Sequence, residues 1–154
     1  MTSRLCFFAR VAAREILERV EFYAQDIQIL KDIGYDVHIA TRPSELIAAD
    51  VYYAWWWTWA FAPLAAARLR RRPIVVTGVF DLYNYDLRPA YQRWLMALPL
   101  PRADANVFLS HMEFTETAAR FRVRNPSYCP CAVDTEAYRP AERAGREPFV
   151  DRKL

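Results

Sequence analysis

Seven residues of this sequence are candidates for binding or reacting with a polar molecule. They are Arg10, Arg14, Trp57, Gly78, Asp81, His111 and Asp134. Together they supply polar groups and an aromatic wall, and the carboxylate of Asp81 is suited to accept a proton from a hydroxyl group. We therefore take Asp81 as the candidate catalytic residue and the other six as candidate binding residues.

The residues with titratable side chains also have structural interpretations. An aspartate in a stretch such as DLYNYD often caps its own loop, so Asp81 could do only that. His111 also fits a partly exposed histidine in the first turn of a helix. A hydrolase built from Ser110, His111 and Asp81 is a further alternative, but adjacent Ser and His side chains rarely face one another. The chain also has no G-x-S-x-G turn.

Six short apolar runs of strand length could position these residues. They occupy positions 4–9, 36–41, 51–56, 73–78, 105–110 and 127–133. The run at 73–78 is almost continuously apolar, as a strand covered on both faces requires. The last run contains Pro130, which predicts an edge strand because proline cannot donate to a central ladder.

Helical patterns separate these runs. Apolar residues over 16–30 predict one helix of about four turns, and Gly34 suits its left-handed end. After Pro89 the sequence predicts a second helix, whose apolar face would be Tyr91, Trp94, Leu95 and Leu98. The pair Ser110 and Glu113 has the spacing of a capping box, and it precedes a helix expected to bury Phe114, Ala118 and Phe121.

Alternating strands and helices predict the α/β class, as a three-layer α/β/α Rossmann-like domain with a mainly parallel six-stranded sheet. In open sheets of this kind, ligands lie beyond the carboxyl ends of the strands. The loops that follow the predicted strands contain all seven candidate residues. No glycine-rich dinucleotide fingerprint follows the first strand, and no P-loop occurs.

Composition narrows the function. The chain has 154 residues, which fits one domain, and its net charge of +3 is too small and scattered for a dedicated nucleic-acid partner. Three cysteines lack the spacing and partners of a zinc site, so we expect no metal and buried, reduced thiols. Reduced thiols and the absence of a recognisable signal sequence favour a cytoplasmic protein.

An uncharged aromatic segment at 51–67, VYYAWWWTWAFAPLAAA, permits two interpretations. A buried strand that runs into a helix explains it, and so does a short membrane span flanked by the arginines of 68–72. Pro63 within the segment and its four tryptophans favour the strand and helix. Tryptophan surface near the strand end could stack on a sugar ring or contact lipid, and the arginines could meet an anionic membrane surface.

Several segments in this order resemble the N-terminal domain of family-four glycosyltransferases, which have the GT-B architecture of two facing Rossmann-like halves. The segments are DIQILKDIGYDVHIAT, ADVYYAWWWTWAFAPLAAARL, RRPIVVTG, RADANVFLSHMEFTETAARF and CAVDTEAYRP. The last one matches the family pattern at Val133, Asp134, Tyr138 and Pro140. The sequence departs from the family in lacking a Gly-rich loop after the first strand, and Asp81 follows the fourth strand where many members have a histidine.

The resemblance implies the acceptor-side half of a retaining, metal-independent enzyme. Such an enzyme moves a sugar from a nucleotide-sugar to a hydroxyl of a glycan, lipid or small molecule. Residues 1–140 would form this domain, and 141–154 would be a linker or the start of a missing C-terminal donor-binding domain. The chain itself would bind no cofactor and would be inactive alone. The alternative is a non-catalytic Rossmann-like module that binds a partner chain or a membrane surface, at the inner face of the membrane.

Overall fold

A computed structural model describes residues 2–131 and shows one six-stranded parallel sheet. Its strands are β1 Arg4–Ala9, β2 Asp36–Ala40, β3 Val51–Trp55, β4 Ile74–Gly78, β5 Ala105–Phe108 and β6 Pro126–Tyr128. They lie in the order β2-β1-β3-β4-β5-β6, and every neighbouring pair is parallel. The prediction of an α/β Rossmann-like fold is confirmed, and β6 lies at the predicted edge.

Helices cover both faces of the sheet. They are α1 Ile16–Arg19, α2 Glu21–Asp32, α3 Phe61–Arg70, α4 Leu82–Tyr85, α5 Ala90–Ala97 and α6 His111–Arg120, with 3₁₀ turns at Pro43–Glu45 and Trp57–Trp59. The helices α1 and α2 pack with Leu5, Phe7 and Trp55 on one face. The opposite face, with Phe8 and Val76, packs against α3 and α5. Alternate residues of β1 therefore enter two separate cores, as a doubly covered parallel strand requires.

The predicted single helix over 16–30 is wrong, because the chain breaks it at Val20. Val20 has extended backbone angles, φ −89° and ψ 114°, and its carbonyl accepts the N–H groups of Tyr23 and Ala24 to begin α2. A β-branched residue loses side-chain freedom in a helix, so Val20 costs little at such a boundary. The break lets Leu17 become fully buried. The predicted end is confirmed, since Gly34 follows α2 with φ +99°.

Two predicted helix faces also differ from the structure. In α5, Tyr91 and Trp94 are 63% and 61% exposed, while Met96 is buried against the core. In α6, Ala118 is exposed and Glu113 and Thr117 are buried instead. Periodicity alone identified both helices but not the side from which the sheet and its loops approach them.

The segment 83–86, which the sequence predicts as a loop, contains most of the short helix α4. The uncharged segment 51–67 forms β3, a 3₁₀ turn and the start of α3, in agreement with the strand-and-helix interpretation. Within residues 2–131, no helix is both long and apolar enough to cross a membrane. The predicted domain end at 140 and the predicted linker at 141–154 lie outside the described residues.

Candidate functional site

The strand order places a crevice between β1 and β3. The chain leaves β1 towards α1 on one face, whereas it leaves β3 towards α3 on the other. Where the connections diverge in this way, the loops separate and leave space beyond the carboxyl ends of the strands. The loops that carry Arg10 and Trp59 follow these two strands. This crevice is therefore the first place to look for a binding site.

A cavity of about 150 Å³ lies at this edge of the sheet. It is lined by Phe8, Arg10, Pro43, Trp59, Phe61 and Ala62. The guanidinium carbon of Arg10 stands 5.7 Å from the ring centroid of Trp59, in cation–π contact, and both side chains are exposed. Arg10, a predicted binding residue, thus contributes to a cavity with an aromatic wall.

The aromatic wall is built by Trp59 and not by Trp57, the tryptophan chosen from the sequence. Trp57 is only 1% exposed, stacks on Phe108 at 4.9 Å and donates its indole N–H to Asn106 Oδ1 at 3.1 Å. Its side chain belongs to the core, in agreement with the expectation that at least one tryptophan of the run is buried. The 3₁₀ turn ends the alternation of side chains that a continued strand would have given, and it buries Trp57 while Trp59 stays exposed.

Gly78 ends β4 in a conformation that few other residues adopt. Its φ is +122°, and a Cβ built there would lie 3.2 Å from the backbone nitrogen of Trp56. Trp56 also has a positive φ, +73°, which is rare for a bulky residue. Its backbone N–H bonds to Thr77 O, and its indole donates to the hydroxyl of Tyr23 at 2.6 Å. The two adjacent strand ends therefore hold their unusual backbone through mutual packing.

Asp81, the predicted catalytic residue, is engaged with its own loop. Its carboxylate accepts hydrogen bonds from Arg88 and from Asn84 Nδ2, the latter at 2.8 Å. Burial alone would raise the pKa of Asp81, but the bonds from Arg88 and Asn84 outweigh it and lower that pKa. A low pKa weakens a general base. The arrangement therefore supports the capping interpretation that the sequence left open.

Glu113 fixes the loop that carries Asp81, a role that the capping-box motif did not reveal. The side chain of Ser110 does accept the N–H of Glu113, at 3.4 Å, as one half of the motif. The Glu113 carboxylate, however, accepts the backbone N–H groups of Phe80 and Asp81 at 3.2 and 2.8 Å. This buried carboxylate joins α6 to the loop after β4. A sequence signal existed, since Glu113 sits in the motif, but its partners are 33 and 32 residues away.

The remaining predicted site residues are dispersed. His111 is exposed at the start of α6, and its ring meets Tyr128 edge-on at 5.6 Å. Arg14 is exposed in the loop after β1. Since Ser110 Oγ accepts a backbone N–H and Asp81 pairs with Arg88, no Ser-His-Asp triad forms in the described part of the chain. Asp134 lies outside that part.

A cavity of about 730 Å³ lies at the opposite edge, beside the amino end of β1. It is a broad depression whose lining includes Arg4, Arg70, Arg72, Asp36 and Asp50. Four of these residues form two ion pairs, Arg4 with Asp36 at 3.3 Å and Arg72 with Asp50 at 3.5 Å, and Arg70 is exposed. Exposed pairs of this kind contribute little to stability or binding. Position in the fold therefore favours the smaller cavity beside Arg10.

A second small cavity, of about 50 Å³, contains the carboxylate of Asp26. Tyr53 Oη and Trp55 Nε1 donate to it at 2.8 and 2.9 Å. Burial raises the pKa of Asp26 above its ordinary value, and these two hydrogen bonds only partly oppose the effect. Cys129 and Cys131 line the same cavity; contrary to the expectation of buried thiols, both are exposed, and only Cys6 is buried.

This raised pKa predicts a pH dependence of stability. The folded chain keeps the Asp26 proton at pH values where the unfolded chain has lost it, so the folded state binds more protons there. The free energy of unfolding should therefore fall as pH rises from about 4 through the folded pKa. We expect the stability of the wild type relative to Asp26→Asn to fall over this range, measured by urea unfolding.

Asp32→Asn is the matched control, because Asp32 is exposed on the same helix. Its stability relative to the wild type should not show the Asp26 trend. A stability difference between wild type and Asp26→Asn that stays constant or grows with pH would contradict the assignment.

No group of three or more His, Cys, Asp or Glu side chains that could hold a metal ion occurs among residues 2–131. The residues that line the cavity at the crevice offer a guanidinium and aromatic rings. Groups of these kinds are capable of cation–π, stacking and hydrogen-bonding contacts with a small molecule.

Together the sheet order and helix layers define a Rossmann-like α/β domain. The chain resembles HepE from Anabaena, solved in complex with UDP and glucose, with a TM-score of 0.58 and 13% identity, over 88% of this chain and 46% of HepE. The UDP-glucose complex of HepE matches with the same TM-score and coverage at 14% identity. No family model and no curated protein sequence matches. The likeness concerns the Rossmann-like fold alone, and this chain spans less than half of the length of HepE.

Proposed function

We propose that this chain is the acceptor-side half of a retaining, metal-independent glycosyltransferase of the family-four type. The observation that carries the proposal is the cavity at the β1–β3 crevice, where Arg10 and Trp59 stand side by side. Apolar and aromatic walls with a few polar groups are the usual surroundings of a small-molecule site. The likeness to structures of HepE with UDP-glucose supports the same class.

In this proposal the crevice holds the acceptor and the donor binds elsewhere. A tryptophan ring offers an apolar face to the C–H groups of a sugar ring, and an arginine donates hydrogen bonds to its oxygens. A nucleotide-sugar would lie across the crevice in a second half of the molecule, so that acceptor and anomeric carbon are aligned between the two. The chain would have no cofactor of its own and would act at the cytoplasmic side.

Asp81 takes a supporting part in this proposal. The carboxylate remains near the working edge of the sheet, but its bonds to Arg88 and Asn84 hold the loop in shape. Positioning of the acceptor then contributes more than proton removal by this chain. Gly78 contributes by letting the loop pass close to Trp56.

The proposal predicts binding without turnover. Purified residues 1–154 should bind simple sugars weakly at Trp59, because the ring and cavity are present. They should release no measurable UDP from UDP-glucose, because in this proposal these residues form the acceptor-side half alone. Saturation-transfer NMR would measure binding, and a coupled UDP assay would measure turnover. Trp59→Ala should abolish the binding, while Trp94→Ala, which removes an exposed ring on α5, should not. Sugar transfer by this chain alone would contradict the two-half arrangement.

A second candidate is the non-catalytic module, and an exposed apolar strip favours it. Leu87, Tyr91 and Trp94 are 83%, 63% and 61% exposed and lie along one side of α5 and its approach. Of the arginines of 68–72, Arg68 and Arg72 are paired with Asp104 and Asp50, whereas Arg70 and Arg71 are exposed and form no ion pair within residues 2–131. Co-sedimentation with anionic liposomes that is lost in Trp94→Ala would support a membrane partner. Without such co-sedimentation, a partner protein would be the remaining form of this candidate.

A further inference from the structure

The cavity beside Arg10 has walls suited to a single ring. By the volume of liquid water, 150 Å³ holds about five molecules, which is the space of one small ring and not of a whole nucleotide-sugar. Phe8, Pro43 and Phe61 make three of its sides apolar. Water bound there would have few polar partners, so a ligand with an apolar face would displace it readily.

Arg10 is a cation without a counter-ion. Within residues 2–131 its guanidinium forms no ion pair, and its contact is the ring of Trp59. Stacking on an aromatic face leaves the edge of a guanidinium free, and this edge matches a carboxylate or a phosphate in two parallel hydrogen bonds. The aromatic contact thus holds Arg10 in place for an anion.

Among the described residues that line the cavity, Arg10 is the charged one. The stretch 5–14 contains no aspartate or glutamate. The nearby 3₁₀ turn carries Glu45, whose carboxylate accepts the N–H and hydroxyl of Thr41 at 2.7 and 3.2 Å. The charge of Glu45 is also offset by that of Arg42, directly before the lining residue Pro43. Arg10 is therefore the cationic group at this cavity that is available to an anion.

We propose that the acceptor bound in this cavity is a sugar ring that carries an anionic group, a carboxylate or a phosphate. The apolar walls receive the C–H face of the ring, and Arg10 binds the charged group at the cavity mouth. The inference rests on the proposed function, because it names the class of acceptor for the same crevice. It goes further because it proposes that Arg10 selects the acceptor by its charge and that Trp59 recognises the sugar ring.

The test uses the indole N–H signals in ¹⁵N NMR spectra of residues 1–154. Trp59 is assigned by Trp59→Phe, and the exposed Trp94 serves as an internal reference. Methyl glucuronide and glucose 6-phosphate should shift the Trp59 signal with a Kd at least about tenfold below that of neutral methyl glucoside, as a charge-assisted bidentate contact provides. Arg10→Gln should remove this preference.

Arg70→Gln is the matched control, because it removes the same charge from an exposed arginine at the other end of α3. It should keep the preference. Equal Kd values for charged and neutral sugars, unchanged in Arg10→Gln, would overturn the anionic class while leaving a sugar-binding crevice. If no sugar binds and only inorganic phosphate shifts Trp59, both this inference and the proposed function are wrong, and the crevice is an anion site.

Discussion

Replacing Glu113 with alanine is expected to lower the free energy of unfolding by about 3 kcal/mol, because two backbone N–H groups lose an ionised acceptor. Those groups belong to Phe80, which is fully buried, and to Asp81. Within residues 2–131 their acceptor is the Glu113 carboxylate, and water reaches the first of them poorly. The loss should appear as a lower urea midpoint with an unchanged m-value, since the rest of the fold persists.

Two variants separate this effect from a general loss of charge. Glu113→Gln keeps one acceptor oxygen but turns an amide N–H₂ towards the other backbone N–H, so it should lose part of the stability. Glu116→Ala removes a carboxylate from an exposed position of the same helix and should change the free energy of unfolding by less than about 0.5 kcal/mol. If Glu113→Ala is no less stable than Glu116→Ala, Glu113 does not hold the loop.

The same variant connects stability with the site. The loop after β4 turns at Gly78 and Asp81, both with positive φ, which the chain maintains only if neighbouring contacts hold it. Glu113 supplies those contacts from α6. Loss of the carboxylate should therefore release the Asp81–Arg88 pair, and the pKa of Asp81 should rise towards its ordinary value as the bonds that lower it weaken. Carboxyl ¹³C NMR would measure that change.

The sheet was predictable from sequence because its signal is local. Each strand is a short apolar run, each crossover has a helical period, and right-handed connections leave few arrangements of such units. All six predicted strands occur. The ends of the first five differ from the prediction by at most two residues, whereas β6 ends at Tyr128, five residues before the predicted end, and Pro130 lies after it. The same rule predicted candidate loops at the carboxyl ends of the strands, but the position of the crevice between β1 and β3 required the strand order of the structure.

The site's side chains were less predictable because their partners are remote in sequence. Trp57 and Trp59 are two residues apart in a run of tryptophans, and only the 3₁₀ turn decides which one is buried. Glu113 looked like a cap until the loop after β4 appeared beside it. For Asp81 the sequence left a catalytic and a loop-capping interpretation open, and the contact with Arg88, seven residues later, favours the second. In each case the deciding contact depends on how loops approach one another, which no local pattern records.

Asn106 shows how much of the crevice depends on one buried side chain. It lies on β5 with no exposed surface, and its Oδ1 accepts the indole N–H of Trp57 at 3.1 Å. Its Nδ2 donates to the carbonyls of Leu100 and Arg124 at 3.0 and 2.7 Å. One amide therefore joins the turn after β3, the segment after α5 and the loop before β6. Loss of this amide leaves the Trp57 indole N–H and the Arg124 carbonyl without these bonds, whereas the Leu100 carbonyl still accepts the backbone N–H of Arg124 at 2.9 Å.

Asn106→Ala is therefore expected to lower the free energy of unfolding by about 3 kcal/mol, the sum of an unpaired indole N–H and one unpaired carbonyl. Urea unfolding at constant pH would measure it. Trp57→Phe removes the indole donor. The double variant should therefore lose less free energy of unfolding than the two single variants together, and the difference measures the Trp57–Asn106 bond.

The effect should extend to ligand binding, since Trp59 follows Trp57 by two residues in the same 3₁₀ turn. At urea concentrations below the unfolding midpoint, where Asn106→Ala is folded, sugar binding at Trp59 should be weaker than in the wild type. The NMR signal of Trp94 on α5 should stay unchanged. A loss under about 1 kcal/mol, or strictly additive losses in the double variant, would mean that the turn is held by packing on Phe108 and not by this amide. The aromatic core would then determine the shape of the crevice, and the hydrogen bonds of Asn106 would matter only for the surroundings of β5.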